Sequence, residues 1–420
     1  MPDSVLLREQ VRRQIDKIKE IDILIGVPSY NNSRTIGNVI SAIIAGVAKY
    51  FPEMKSTIVN SDGGSRDGTQ DIISQVSVDP RTILISHRVN PLNRIVTPYH
   101  GIPGKGSAFR TIFQIAKELR AKVCAVVDSD LRSITPEWIE LLIRPILKNG
   151  YDFVAPYYLR HKYDGTITNN IIYPLTRALY KKKIRQPIGG DFGFSGEMAS
   201  YYLTKDVWET DVSRYGIDIW MTTIAITEGF KICQSFLGAK IHDSKDPSTD
   251  LSTMLKQVVD CLFFLMEEYY PVWSTNDKYE DVPIFGFQYE VGVEPLNPNV
   301  EKMIMNCQQG ISDLLVIFKE FLPDDIIESL AYIKDLPCRD FHLSDELWAK
   351  IIYDFAVSYH NKIINPEHLL KSLTPLYLGK TASFILETKT ISSNEAETKI
   401  ERLCRTFAEL KPYLIKRWTQ

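Results

Sequence analysis

Residues 121–138 read AKVCAVVDSDLRSITPEW. The apolar run Val123–Val127, rich in Val and bounded by charge on both sides, is the pattern of a strand buried on both faces of a sheet. Two carboxylates, Asp128 and Asp130, follow it directly, separated only by Ser129. Ligands in open α/β sheets bind beyond the carboxyl ends of the strands, so this is an edge where a ligand can wait. A carboxylate there suits Mg2+ or Mn2+, which keep several waters and are held by one or two carboxylates plus the phosphates of a substrate. A bare D-x-D equally suits a turn, or the N-cap of the helix that Pro136 opens, and its company decides between these readings.

Outward from this run, between Asp22 and about Ser235, short apolar segments alternate with helical patterns. IDILIGV, STIVNSD, TILISH and KVCAVVD read as strands, and TIGNVISAIIAGVAKY, DGTQDIISQV, GSAFRTIFQIAKEL and PEWIELLIRPIL as helices. That alternation predicts an α/β domain with a mostly parallel sheet and helices on both faces. Pro28, Asp62 and Asp128 all fall where strands end. Beyond about Asp246 the spacing becomes i, i+3, i+4 in LSTMLKQVVDCLFFLMEEYY, VEKMIMNCQQGISDLLVIFKEFL, DELWAKIIYDFAVSYHN and AETKIERLCRTFAELKPYLIKRW, which predicts a helical C-terminal region. The Pro-, Asn- and aromatic-rich stretch from Tyr269 to Asn299 reads as an irregular connection. The expected organisation is an N-terminal helical extension over 1–20, an α/β catalytic domain over 21–250 and a mostly helical region over 251–420.

Composition narrows the class. Of 420 residues 44% are hydrophobic and 24% charged, close to an ordinary soluble enzyme, and a net charge of −3 gives no reason to expect a nucleic acid. The longest apolar stretch, Ile36–Val47, is too short for a bilayer, which needs about 20 residues, and reads as a buried helix. The charged N-terminal stretch lacks the apolar core and cleavage site of a signal peptide, so the expected location is the cytoplasm, with no membrane partner. Cysteines at 124, 233, 261, 307, 338 and 404 show no C-x-x-C pair or metal spacing and read as reduced core thiols.

Further residues could carry chemistry. His242, in QSFLGAKIHDSKDP, follows a predicted strand; a lone histidine is more often a satisfied residue than a ligand. In GIPGKGSAFRTIF, Gly104 and Gly106 free the backbone around Lys105 just before a helix, an arrangement that suits an anion, although the spacing is not that of a Walker loop. VPSYNNSRTIG at 27–37 and NSDGGSRDGTQD at 60–71 are each a strand end, a turn-prone polar segment and a helix start.

Taken in order, V-P-S-Y-N-N, D-G-G-S-R-D-G-T, P-G-K-G and D-S-D resemble the nucleotide-sugar glycosyltransferases of the GT-A fold. QPIGGDFGFS (186–195), YGIDIWMTT (215–223), AKIHDSKDPSTDLSTML (239–255) and RHKYDGTITNNII (160–172) are similar to the motifs of the mannosylglycerate, glucosylglycerate and glucosyl-3-phosphoglycerate synthases. The resemblance covers roughly residues 20–270. It implies a retaining, metal-dependent hexosyltransferase using a nucleotide sugar, GDP-mannose or UDP- or GDP-glucose, with a small hydroxy acid such as D-glycerate as acceptor, and a compatible-solute role.

Residue by residue, the resemblance implies that Asp130 and His242 hold a divalent cation, Mg2+ or Mn2+, on the donor diphosphate. Asp128 would bind the ribose or the sugar, and Lys105 a phosphate or donor hydroxyl. Pro28, Ser29, Asn32 and Asp62 would form the base and ribose pocket; Asn32 stands where the family commonly has Glu, which leaves uridine and guanosine open. Gly189 and Gly190 would let the backbone approach the sugar, with the Ile188 carbonyl near the anomeric carbon. Asp218 would bind hexose hydroxyls, its local alternative being an N-cap. Arg160 and Thr168 would hold the acceptor, an Arg fork matching a carboxylate. Thr166 stands where the phosphoglycerate enzymes carry an arginine, which leans toward glycerate.

Departure and attack on one face of the donor is the expected mechanism, since no carboxylate is obviously fit to be a nucleophile; Asp191 is the rival. The run KKKIR at 181–185 reads as a solvated helix end that could draw an anionic acceptor. The C-terminal helices could cover the site or mediate a homodimer. A transferase with a lipid or polysaccharide acceptor and a non-catalytic nucleotide-sugar-binding scaffold are the alternatives. A dinucleotide oxidoreductase fails because IDILIGVPSYNNS lacks the G-x-G-x-x-G turn.

Overall fold

A computed structural model of the chain describes residues 7–76, 92–99, 101–242, 251–289, 292–293 and 295–420. The chain forms two compact units: residues 1–159, 186–243 and 282–293, and residues 160–185, 244–281 and 294–420. Residues 160–185 thus group with the C-terminal helices, although the alternation of patterns runs straight through them.

Among the described residues the first unit has eight strands: β1 (Ile23–Ser29), β2 (Ser56–Asp62), β3 (Asn93–Pro98), β4 (Val123–Val126), β5 (Phe153–Leu159), β6 (Phe192–Ser195), β7 (Ile232–Ala239) and β8 (Ile284–Phe285). They lie in the order β3-β2-β1-β4-β6-β5-β7-β8, with β6 antiparallel to both its neighbours and every other pair parallel. The mostly parallel α/β sheet read from the sequence is therefore present. TILISH, expected as a strand at 82–87, lies outside the described residues, whereas NRIVTP supplies β3.

Side-chain alternation explains why the central strands read as unbroken apolar runs. Ile23, Ile25 and Val27 pack into one cluster with Val39 and Ile43 of the helix Ile36–Tyr50 and Ile139 and Leu142 of the helix Pro136–Asn149. On the opposite face Gly26 lies against Ile112 of the helix Lys105–Glu118, where a Cβ would come within 2.6 Å of that side chain. Both faces are covered, so both registers of the strand must be apolar or small. The carboxyl ends of β1, β2 and β4 are where charged groups gather.

The second unit is helical. Its longest helices, Val300–Phe318 and Pro366–Thr388, pack along one another, with Gly310 against Pro375 and Gly379 against Cys307. The connection after Tyr269 is less irregular than its composition suggests: it holds the short helix Tyr270–Thr275, and it also supplies β8. Cysteines 124, 233, 261, 307 and 404 are buried thiols and Cys338 is an exposed one. Among the described residues no helix is long and apolar enough to cross a membrane.

Candidate active site

The site starts where β1 and β2 end in register, Ser29 opposite Asp62. Ser29 Oγ donates to Asp62 Oδ2 at 2.8 Å, and Asn60 Nδ2 donates to Ser29 Oγ at 2.9 Å. Asp62 Oδ1 accepts from the backbone N–H groups of Gly64 and Ser65 at 2.9 and 2.8 Å and from Gln70 Nε2 at 2.7 Å. Burial pushes this carboxyl up, but the donors from Ser65, Gln70 and Ser29 outweigh it and hold the pKa below the usual range. Asp62 therefore shapes the loop after β2. Asn32 Oδ1 accepts from Ser129 Oγ at 2.8 Å, and Thr35 Oγ1 donates to the Ser129 carbonyl at 2.7 Å. The middle residue of D-S-D is thus clamped to the loop after β1, with Asp128 and Asp130 on either side of it.

A line of alternating charge runs through the carboxyl end of β4. Lys105 Nζ lies 3.0 Å from Asp218 Oδ2 and 2.9 Å from Asp128 Oδ1. Asp128 Oδ2 lies 2.8 Å from Lys240 Nζ, which lies 2.7 Å from Asp191 Oδ2. Asp191 Oδ1 accepts from the Asp128 N–H at 2.7 Å, and the Tyr158 hydroxyl donates to Asp191 Oδ2. Burial opposes the charge on Asp128, but Lys105 and Lys240 outweigh it and hold its pKa well below the usual range. At Asp218 and Asp191 burial wins and raises the pKa, aided by the charge of Asp128 and only partly offset by the lysines. Asp218 sits in the first turn of the helix Ile217–Thr227, whose N-cap position is Gly216, so the N-cap reading does not apply to it. Its Oδ1 is buried and has no hydrogen-bond partner among the described residues.

The glycines answer to the protein itself. Gly190 has φ +91°, and a Cβ there would lie 2.2 Å from Asp128 Oδ2; at Gly189 a Cβ would meet Pro156 at 2.2 Å. The turn that carries Ile188 is pinned by Gln186, which exchanges two hydrogen bonds with the backbone of Tyr158, and by Thr222, whose hydroxyl donates to the Pro187 carbonyl at 2.7 Å. Gly104 and Gly106 press on the loop at 211–214, a Cβ at Gly106 lying 1.9 Å from the Val212 carbonyl oxygen. The Gly106 N–H donates to the Arg214 carbonyl, and the Gly104 N–H to the Tyr99 hydroxyl. The anion-cradle reading of this helix start is corrected accordingly: these amides are used internally, and the Lys105 ammonium already faces two carboxylates.

Past β7 the chain turns back against the D-S-D segment. Leu131 and His242 form an antiparallel bridge, and the Arg132 N–H donates to the Ile241 carbonyl at 2.9 Å. His242 therefore lies across from the residue that follows Asp130. No group of three or more His, Cys, Asp or Glu suited to a metal occurs among the described residues.

Two expected site residues belong to the second unit. A Cβ on Gly165 (φ +69°) would lie 3.3 Å from Arg160 Nη1 and 3.9 Å from Thr168 Oγ1, so the guanidinium and the hydroxyl flank the same glycine. Arg160 Nη1 is 3.7 Å from Asp164. Thr166 Oγ1 is 2.5 Å from the Tyr377 hydroxyl. The run KKKIR follows the end of the helix Tyr173–Tyr180, and the solvated reading holds for the exposed Lys183 but not for the buried Lys181 and Arg185. Lys182 pairs with Glu280, Lys183 with Glu401 at 3.7 Å and Arg185 with Glu397 at 2.5 Å, while Lys181 lies over the Tyr279 ring. Three of the four neighbouring positive charges thus face acids distant in sequence.

Residues 24–206 match the family model described as glycosyl transferase family 2. The chain carries a glycosyltransferase domain and is an enzyme of that class. Its structure is similar to glucosyl-3-phosphoglycerate synthase from Mycobacterium tuberculosis in complex with Mn2+, UDP and glucosyl-3-phosphoglycerate, at 19% identity and TM-score 0.43 over 60% of this chain and 83% of that one. It is similar also to that synthase with Mg2+ and UDP (19%, TM-score 0.44, 60% and 82%) and to a mycobacterial protein (22%, TM-score 0.42, 60% and 77%). No curated protein matches the chain.

Lys240 and Tyr158 are the members of the charge line that sequence reading passes over. Lys240 reads as the polar end of a strand, and its partners lie 49 and 112 residues away. The one available signal is its place two residues before His242.

Proposed function

We propose that this enzyme is a retaining hexosyltransferase that moves mannose or glucose from a nucleotide diphosphate sugar to D-glycerate. The observation that carries the reading is the Asp218–Lys105–Asp128 line at the strand ends of a family 2 domain, with a buried Asp218 oxygen lacking a donor. An unsatisfied buried acceptor costs about 1–3 kcal/mol, which a sugar hydroxyl donating to it would relieve. Asp218 then binds the hexose, Asp128 and Lys105 border it, and Pro28, Ser29, Asn32 and Asp62 shape the nucleoside pocket.

We assign a divalent cation to Asp130 and His242: the backbone bridge between Leu131 and His242 supports the pairing, and an oxygen and nitrogen set would suit Mg2+ or Mn2+ retaining waters and substrate phosphates. Such a cation, when bound, offsets charge on the departing nucleoside diphosphate. The chain's own contribution is to hold the sugar and exclude alternatives. Asp191 is fully buried and both its oxygens already accept hydrogen bonds, which favours departure and attack on one face over a covalent adduct. The Ile188 carbonyl, on the pinned turn, is the group assigned to the anomeric carbon, and a donor phosphate oxygen takes the acceptor proton. Trapping a glycosyl group on Asp191 would overturn this mechanism.

The acceptor carboxylate is assigned to Arg160 and its hydroxyls to Thr168. Glycerate is favoured over 3-phosphoglycerate because the Thr166 hydroxyl is engaged by Tyr377 and the bases at 182, 183 and 185 are matched by glutamates. The test is product mass and nucleoside diphosphate release from GDP-mannose, GDP-glucose and UDP-glucose with either acceptor, in Mg2+ or Mn2+, with Asp130→Ala as blank. Turnover with glycerate, lost in the blank, supports the reading and names the donor. Turnover only with 3-phosphoglycerate overturns the acceptor assignment, and none with either overturns the small-acceptor proposal.

A further inference from the structure

Lys240 is buried, one residue beyond β7, and its ammonium has three acceptors: Asp128 Oδ2 at 2.8 Å, the Gly189 carbonyl at 2.8 Å and Asp191 Oδ2 at 2.7 Å. A lysine has three N–H donors, and each of these contacts takes one. Its role is therefore to join parts of the protein, and the three parts are separate in the chain: the end of β4, the turn carrying Ile188, and the residue that leads into β6. Gly190 crowds Asp128 Oδ2 from the other side, so the carboxylate is gripped between an ammonium and a backbone that only glycine permits. The other oxygen, Oδ1, is thereby presented to Lys105, and Lys105 to Asp218.

We propose that Lys240 is a positioning residue of the transfer reaction: by holding Asp128 and the Gly189 carbonyl at one point, it fixes the hexose-binding line and the Ile188 turn in register with each other. The inference rests on the hexosyltransferase reading above and adds to it a residue that need not touch donor or acceptor. Register matters because a misplacement of about 1 Å in a reacting geometry costs on the order of 100-fold in rate. A donor held out of register still binds and still meets water, so the loss falls on productive transfer.

The alternative is that Lys240 only neutralises the buried Asp191. Lys240→Met alone cannot separate the two roles, since it leaves that carboxylate uncompensated and is expected to unfold readily. Lys240→Met with Asp191→Asn removes both charges while leaving Asp128 and the Gly189 carbonyl without their tie. Lys240→Arg keeps the charge, but its planar fork does not converge three donors on one point.

The expected result is that both variants fold, the double variant less stably because Asp128 keeps only Lys105, while kcat for transfer by the folded enzyme falls about 100-fold. The share of nucleoside diphosphate released without glycoside is expected to rise several-fold. Wild-type kcat and product partition in either folded variant would overturn the proposal. If the wild type itself transfers no hexose, the function reading fails, and the crystal structure of the double variant decides this inference. Movement of the Asp128 carboxylate and the Gly189 carbonyl apart by about 1 Å supports it; unchanged positions overturn it.

Discussion

Two charge clusters in this chain, one buried and one partly exposed, are built to different rules. Around Lys105 and Lys240 three carboxylates face two ammonium groups, and one oxygen of Asp218 has no donor among the described residues. Around 181–185 in the second unit, Lys182 faces Glu280 and Arg185 faces Glu397, while Glu401, 3.7 Å from Lys183, is held more closely by Arg177 at 2.5 Å. Removing a partner is costly in the buried first cluster, and an exposed pair such as Lys183–Glu401 contributes little. A surplus acceptor fixed in a water-poor site is ready for a donor that arrives with substrate. The first cluster is set apart by its excess of carboxylates over bases.

The sharpest way to break this comparison is to substitute at its centres. Asp128→Asn removes the charge that both lysines share, and the transfer rate is expected to fall by more than about 1,000-fold, or about 4 kcal/mol of transition-state stabilisation. Glycoside formed at saturating donor and acceptor measures it, and a loss of less than tenfold would mean that the line is merely structural. Arg185→Met removes the bidentate partner of Glu397 and the donor to Asn169 Oδ1 at 2.9 Å. Glu397 is partly exposed and can rehydrate, so the expected cost is about 3 kcal/mol of stability, read from the urea midpoint. Transfer by the folded fraction should stay within about threefold of wild type; a large loss of kcat there would place the second cluster in the site after all.

What the sequence reveals follows the same divide. VCAVV and IDILIGV are legible because a strand covered on both faces is largely apolar along its length, and the polar residues at the ends of these strands and of STIVNSD, Asp128, Ser29 and Asp62, do meet at one edge. The Pro366–Thr388 helix is not legible: it is buried on nearly every side, with Ser372, Lys380, Thr381 and Ser383 among its buried residues, so no apolar stripe stands out. The roles of Gly190 and Lys240 are hidden for another reason. Each is set by a group far away in the chain, and local periodicity carries no trace of a partner 62 or 112 residues distant.

A buried carboxylate outside both clusters, with both oxygens satisfied, sharpens the comparison through its pH response. Asp354, in the helix Asp345–His360, accepts from the Tyr413 hydroxyl at 2.7 Å and from Arg417. Burial pushes its pKa up to about 6 despite those two partners. The folded state thus takes up this proton more readily than the unfolded chain, whose carboxyl titrates near 4. Between about pH 4 and 6 the folded form binds more protons, so this group's contribution to stability falls as pH rises and is level above and below that window. Across the whole window that fall amounts to about 3 kcal/mol. Other carboxylates, Asp62 among them, are shifted downward and contribute with the opposite sign at lower pH, so the wild-type curve alone is a sum. The difference between Asp354→Asn and wild type isolates the group: urea titrations at steps between pH 4 and 7 should show the variant gaining on the wild type by up to about 3 kcal/mol. A flat difference would mean that Arg417 keeps Asp354 ionised at ordinary cost, and that a buried carboxylate with both oxygens satisfied carries no burial penalty in this chain.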